Sequence, residues 1–184
     1  VVTGNVKVNE ELLQHAPELK VIVQSAVGYD NIDIEACTRH GILVGNTPGV
    51  LVEATADLAF SLLLCSARRI HEGGNFVRAG SWIPGHNIPL GMDLAGKTLG
   101  IVGMGQIGVA VAKRARVFGM NVIYYNRNRR ADDKETGATY QAFDAVLEQA
   151  DCIIVLTPLS KETKGLFGRQ QFSQMKSTAY FVNM

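Results

Sequence analysis

Six residues, Gly103-Met104-Gly105-Gln106-Ile107-Gly108, constrain this chain more than any other stretch. They follow Lys97-Thr98-Leu99-Gly100-Ile101-Val102, which reads as a buried strand. They open a segment, 106–118, that carries Ile107, Val111, Ala115 and Phe118 on one helical side, with Lys113, Arg114 and Arg116 mostly elsewhere. Strand, glycine turn and helix in this order make one βα unit. Gly103 permits the tight turn, Gly105 leaves the backbone open to a pyrophosphate, and Gly108 lets helix and strand pack closely. The unpaired N–H groups and positive dipole end of such a helix favour phosphate. Gly119 is placed to cap its far end.

The following strand decides which dinucleotide suits the unit. A site for NAD usually sets an Asp or Glu there to bond the ribose 2′-hydroxyl. Here Val122-Ile123-Tyr124-Tyr125 runs into Asn126-Arg127-Asn128-Arg129-Arg130, with no acid and three arginines. Guanidinium groups bond a 2′-phosphate that a carboxylate would repel. The expectation is a Rossmann-type domain preferring NADP(H). Asn126 and Arg127 are the nearest contacts, and Arg129 or Arg130 is a second clamp. The competing reading is a solvated basic loop.

The rest of the chain alternates strand and helix patterns, as a parallel sheet with crossover helices requires. Strands are expected at 1–4, 19–25, 42–46, 98–103, 121–125, 152–156 and 179–182. Short helices are expected at 9–16, 33–40, 140–149 and 168–175. Residues 52–79 read as one long helix, with Leu58, Leu62, Cys65 and Ile70 at helical spacing and Gly73-Gly74 weakening its second half. Residues 84–96, rich in glycine and proline, read as linker. The domains are therefore set at 1–51, 52–96 (connecting helix and linker) and 97–184.

Composition excludes other classes. Of the 184 residues 47% are hydrophobic and 19% charged, and the net charge is +1. That fits a globular protein without the field that draws nucleic acid. No apolar run reaches the roughly 18 residues of a membrane-spanning helix. Cys37, Cys65 and Cys152 show no metal-ligand spacing and sit among apolar neighbours, so they read as buried, reduced thiols of a cytoplasmic protein. His15, His40, His71 and His86 form no ligand pattern either. The first residue is Val1 and the last strand runs to Met184 without a polar tail, so a piece of a longer protein is expected.

Taken together, several motifs resemble the D-2-hydroxyacid dehydrogenases. They are Val27-Gly28-Tyr29-Asp30-Asn31-Ile32-Asp33, Gly41-Ile42-Leu43-Val44-Gly45-Asn46-Thr47-Pro48, the glycine turn, and Leu156-Thr157-Pro158-Leu159 with Glu162-Thr163. The basic segment at 126–130 looks most like the NADPH-dependent glyoxylate/hydroxypyruvate (2-ketogluconate) reductase branch. The resemblance implies an α/β fold: a Rossmann-type parallel-sheet domain plus part of a flavodoxin-like α/β substrate domain, with the active site between. It implies that backbone N–H groups at Val27 and Gly28 bind the substrate carboxylate, as turn N–H groups can. It implies cofactor contacts for Thr55 (nicotinamide side), Gln106 and Ile107 (pyrophosphate turn), Thr157 and Pro158 (adenosine side), and Thr163. Asp30 and Asn31 match the motif as turn stabilisers, and Trp82 reads as a packing residue near a dimer contact. The family's catalytic Arg, Glu and His match no position here, so no catalytic residue is assigned and the chain alone is expected to be inactive. The parent enzyme is expected to be a homodimer reducing a small 2-oxo acid with NADPH. The alternative is a nucleotide-sensing corepressor of the same fold that binds partner proteins.

Overall fold

Every strand pair in the computed structural model is parallel. It describes residues 2–4 and 6–184, leaving out the side chains of residues 2, 133 and 134, so the strand start expected at Val1 lies outside the described residues. The chain divides into two units, Val1–Leu51 with Pro158–Lys164, and Val52–Thr157 with Gly165–Met184.

In the first unit, β1 (Val2–Thr3), β2 (Val21–Gln24) and β3 (Leu43–Gly45) form one sheet in that order. The helices α1 (Glu10–Gln14) and α2 (Ile34–Arg39) make the crossovers. Each begins at a side-chain cap: the Asn9 oxygen accepts from the Leu12 amide at 3.2 Å, and the Asp33 oxygen from the Ala36 amide at 2.8 Å. These caps satisfy donors that the first helical turn leaves without a partner. Along β2, Ile22 and Gln24 are buried while Val21 and Val23 are exposed, so one face of this sheet is covered. The core comprises Val8, Leu13, Ile22, Ile32, Ala36, Cys37 and Ile42.

The second unit opens with α3 (Val52–Ala67) and α4 (Ile70–Arg78). Then come β4 (Thr98–Val102), α5 (Gln106–Val117), β5 (Asn121–Tyr125), α6 (Asp133–Thr136) and β6 (Thr139–Tyr140). The unit ends with α7 (Phe143–Gln149), β7 (Cys152–Val155), α8 (Arg169–Gln174) and β8 (Tyr180–Asn183). The sheet order is β6-β5-β4-β7-β8. β4, β5 and β7 are apolar nearly throughout because both faces are covered. Leu99, Ile101, Tyr124 and Ile154 face the core that holds Ala56, Phe60, Leu63 and Val111 of α3 and α5. Val102, Ile123 and Ile153 face Val146 and Leu147 of α7. Burial pushes the Cys152 thiol, and the Asp151 charge pushes it further, up to about 12, so it stays protonated.

Four expectations need correction. The long helix at 52–79 is two helices. Ala67 accepts from the Met92 amide at 2.8 Å, which ends α3 there, and Arg69 adopts a left-handed conformation (φ 54°) before α4 begins. Gly73 and Gly74 lie inside α4. The buried face of α3 is Ala56, Ala59, Phe60, Leu63 and Ala67, whereas Leu58, Leu62 and Ile70 are exposed. A spacing test weighted to large side chains passes over an alanine face. Tyr140 belongs to β6, paired with Tyr124, and α7 starts only at Phe143. Cys65 is half-buried, while Cys37 and Cys152 are buried. Trp82, expected to pack, is 73% exposed in this chain.

Candidate functional site

β4 lies at the point where the strand order reverses, since β5 flanks it on one side and β7 on the other. Ligands of open parallel sheets sit at the carboxyl ends of the strands at such a point. There the chain makes the turn at 103–105 and the helix α5.

The three glycines of this turn do different work. Gly103 has φ 104°, and a Cβ on it would stand 2.8 Å from the Leu156 carbonyl carbon and 2.9 Å from the Thr157 nitrogen. The turn is thus wedged against the chain leaving β7, and only glycine fits. A Cβ on Gly108 would meet the Gly103 carbonyl oxygen at 2.7 Å. Gly105 is open, with nothing within 4 Å of where its Cβ would be. That free space lies at the N-terminus of α5, where Gly105 offers no side-chain cap. The first intrahelical amide bond there is Val109 N–H to the Gly105 carbonyl at 3.0 Å. Among the described residues nothing accepts from the amides of Gln106, Ile107 and Gly108. Three donors, a helix dipole and an empty cradle over a glycine fit a pyrophosphate.

Side chains from β5 and the loop after it hold the turn. The Asn126 oxygen accepts from the Met104 amide at 2.6 Å, and its Nδ2 donates to the Met104 carbonyl at 3.3 Å. Arg130 Nη1 donates to the same carbonyl at 3.0 Å. Its Nε and Nη2 donate to the two Asp132 oxygens at 2.8 and 2.7 Å. The Asp132 carboxyl is held below the usual range by that guanidinium. The Arg129 guanidinium stands 5.9 Å over the Tyr140 ring. Arg127 is exposed, and among the described residues its side chain has no hydrogen-bond or ion-pair partner.

Thr55 lies in the first turn of α3, half-buried. Its neighbours Glu53 and Asp57 pair with Arg114 of α5 at 2.9 and 2.5 Å, which fixes the two helices to each other. Thr157 directly follows Leu156, whose amide donates to Val102 at 2.8 Å.

The first unit carries Val27 and Gly28, both exposed, in the turn after β2. Three successive carbonyls of this turn are tied back. Ala26 accepts from the Thr47 amide at 3.3 Å, Val27 from Asn46 Nδ2 at 2.9 Å, and Gly28 from Gln24 Nε2 at 3.0 Å. The buried Gln24 amide also donates to the Gly4 carbonyl and to Asn31 Oδ1. Asn31 in turn donates to the Val6 carbonyl at 2.8 Å. Among the described residues nothing accepts from the amides of Val27 and Gly28. With its carbonyls turned away and its N–H groups free, the turn can receive a small anion. Pro158 and Thr163 belong to this unit as well. The Thr163 hydroxyl donates to the Pro158 carbonyl at 2.5 Å and accepts from the Ser160 amide at 2.8 Å, closing a local turn.

Motif reading missed Gln24, Asn46, Tyr124 and Asp132. Asn46 and Asp132 carry a visible signal, a polar side chain beside a motif that has backbone groups to hold. Gln24 carries a fainter one, a lone amide in an apolar strand. No metal-ligand cluster occurs among the described residues, and no helix there is long and apolar enough to cross a membrane.

Comparison with known proteins identifies the family. The sequence profile of the D-isomer specific 2-hydroxyacid dehydrogenase NAD-binding domain matches residues 60–184. A glyoxylate reductase of Thermococcus litoralis is 53% identical over 183 residues, which is 96% of this chain and 55% of that protein. The crystal structure of a glyoxylate reductase from Paecilomyes thermophila superposes with a TM-score of 0.87 at 40% identity, covering 95% of this chain and 53% of that one. A D-lactate dehydrogenase of Aquifex aeolicus, complexed with NAD and lactic acid, gives a TM-score of 0.92 at 34% identity, covering 99% of this chain and 55% of that one. The chain spans about half the length of the curated relatives it matches. Both units thus have the fold of these enzymes, and the chain belongs to the D-isomer specific 2-hydroxyacid dehydrogenase family.

Proposed function

We propose that this chain supplies the NADP(H) site and the substrate-carboxylate turn of an enzyme that reduces a short 2-oxo acid such as glyoxylate or hydroxypyruvate to the D-2-hydroxy acid. The observation that carries the cofactor reading is the loop after β5, in which Asn126, Arg127 and Arg129 follow the strand end with no acid among them. When bound, the reduced nicotinamide supplies a hydride to the substrate carbonyl carbon. The chain's own residues bind and orient. The amides of Gln106, Ile107 and Gly108 take the pyrophosphate above Gly105. Arg127 and Arg129 neutralise the 2′-phosphate, with Arg129 kept in place over Tyr140. Thr55 serves the nicotinamide side, Thr157 and Pro158 serve the adenosine side, and Thr163 is a further cofactor contact. The Val27 and Gly28 amides hold the carboxylate, fixing the carbonyl for reaction.

Proton transfer falls to residues outside this chain. His15 lies on the Glu11 carbonyl, His40 on the Glu10 carboxylate and His71 on the Asn75 amide. None of these contacts touches either turn. Leu58 and Leu62, one helical turn apart on α3, are exposed together with Trp82 and Leu90, the last at 96%. A second copy of the protein covering them accounts for that exposure, and the full-length enzyme is proposed to be a cytoplasmic homodimer.

Fluorescence titration of wild type and Arg127→Asp with NADPH and NADH tests the cofactor reading. The expected result is tighter binding of NADPH by wild type and reversal by the substitution; unchanged NADPH binding in the variant overturns it. Assaying the full-length enzyme with a panel of 2-oxo acids and NADPH tests the activity, and light scattering on the same sample tests the dimer. No NADPH oxidation, or a monomer mass, refutes the corresponding proposal.

A further inference from the structure

Three arginines follow β5, and they are not equivalent. A guanidinium has five N–H donors in a rigid fork and grips an oxyanion best along one edge, with two donors in parallel. Arg130 has already given that edge to Asp132, through Nε at 2.8 Å and Nη2 at 2.7 Å. Nη1 is on the Met104 carbonyl at 3.0 Å. The Arg130 backbone amide donates to the Tyr124 hydroxyl at 3.1 Å, and Tyr124 is fully buried in the β5 core. The residue is thus anchored at its backbone to the sheet, at one guanidinium edge to a carboxylate, and at the other to the middle residue of the glycine turn. Met104 itself is buried, and its peptide N–H is taken by Asn126. Rotating Arg130 toward a phosphate would break the Asp132 pair and leave the Met104 carbonyl only its longer bond from Asn126 Nδ2, at 3.3 Å. Arg127, by contrast, is exposed with no such engagement.

We infer that Arg130 is a positioning residue: locked by Asp132, it fixes the Met104 carbonyl and with it the glycine turn, so it supports the pyrophosphate common to both dinucleotides, while the 2′-phosphate is read by Arg127. The inference rests on the dinucleotide reading of the turn given under Proposed function. It divides the basic loop into a part that shapes the site and a part that selects the cofactor.

Titration of wild type, Arg130→Met, Asp132→Asn and Arg127→Ala with both NADPH and NADH tests it. Arg130→Met weakens NADPH and NADH by the same factor, about tenfold, the size expected for losing a charge-assisted hydrogen bond. Asp132→Asn, which keeps the shape, acts in the same direction on both cofactors and less strongly. Arg127→Ala weakens NADPH alone. Amide NMR signals of Gly105 and Gln106 shift in ligand-free Arg130→Met while those of β2 stay put, a pattern that general destabilisation does not produce. If Arg130→Met weakens NADPH and spares NADH, Arg130 is a phosphate ligand and the inference is overturned. It is overturned equally if neither affinity changes, or if wild type binds neither dinucleotide. If wild type binds NADH as tightly as NADPH, the NADP reading fails, whereas the equal effect of Arg130→Met on both ligands still upholds the positioning role.

Discussion

The turn after β4 and the turn after β2 both present N–H groups with no acceptor among the described residues, and they reach that state by opposite means. After β4 the backbone itself is unusual. Gly103 sits at φ 104° against the Leu156 backbone, and α5 starts without a side-chain cap. After β2 the backbone needs no forbidden angle, for neither Val27 nor Gly28 has a left-handed conformation. Instead, side chains from β2 and from the chain beyond β3, Gln24 and Asn46, pull the carbonyls away from the open side. One turn is specified by what must be missing, a Cβ. The other is specified by what must be present, amide donors at a distance in sequence. The first tolerates no side chain at Gly103 or Gly108, and the second depends on residues that touch no ligand.

Glycine substitutions test that contrast most strongly. Gly103→Val forces a β-branched residue into a left-handed angle against fixed backbone, and should cost roughly 3 kcal/mol of folding stability or more. Gly105→Ala, into open space, should stay within about 0.5 kcal/mol of wild type and still weaken NADPH binding. Denaturant unfolding and titration of both variants check this. Equal destabilisation by the two would break the distinction between wedge and cradle.

An intermediate effect is expected on the other side. Gln24→Leu removes a buried amide whose Nε2 lies within hydrogen-bond distance of three acceptors and should destabilise by about 2 kcal/mol. In the full-length enzyme Gln24→Leu and the milder Asn46→Ala should raise KM for the 2-oxo acid and leave cofactor affinity alone. A change in cofactor Kd with KM unmoved would reverse the assignment of the two turns.

Acid should separate the units by the smallest margin. In the second unit, burial pushes the Asp151 carboxyl up. The Lys176 ammonium at 2.8 Å and the Thr98 amide at 2.9 Å outweigh this and hold it below its ordinary 3.8. In the first unit, hydrogen bonds from His40 and Arg39 hold Glu10 at about 2, below its ordinary 4.5. Both folded-state values are depressed, so each stabilisation is complete above the ordinary value and is lost as the pH falls through the lowered one. Asp151→Asn should cost about 1 kcal/mol at neutral pH, a small figure because Lys176 is partly exposed, and nothing in strong acid. Glu10→Gln should flatten the acid limb of the first unit between 4.5 and 2. Unfolding followed from pH 7 to pH 2 by amide signals of each unit reads both. A limb unchanged in either variant assigns it to other groups.

The parts legible in the sequence are those where a residue type is forced. The β4 strand, the glycine turn, α5 and β5 follow from sterics and apolar patterning within some thirty residues. Helices starting near Asn9 and Asp33 are read from the pattern, and the structure adds that both residues cap them. The break at Arg69 was not legible, because a carbonyl taken by Met92, over twenty positions on, ends α3. Nor was β6, since a strand of two residues has no period. The large side chains Leu58 and Leu62 misled because three alanines share the buried face of α3 with Phe60 and Leu63. At the candidate site the glycines and arginines could be read as residue types. Their partition into turn, brace and selector depends on Asp132, Tyr124 and Asn126, and the turn after β2 depends likewise on Gln24 and Asn46, whose importance lies in where they reach.

Cys152 turns the cofactor sheet into its own clock. Its thiol lies fully buried on β7, register partner of Leu99 on β4, and burial keeps it protonated at neutral pH. A labelling reagent can reach it only when the sheet opens. Any ligand that closes on the glycine turn lowers the open fraction by the factor 1 + [L]/Kd, so ligand at about one hundred times Kd slows labelling roughly a hundredfold. The rate at which one silent sulfur reacts therefore measures occupancy of a pocket it never touches.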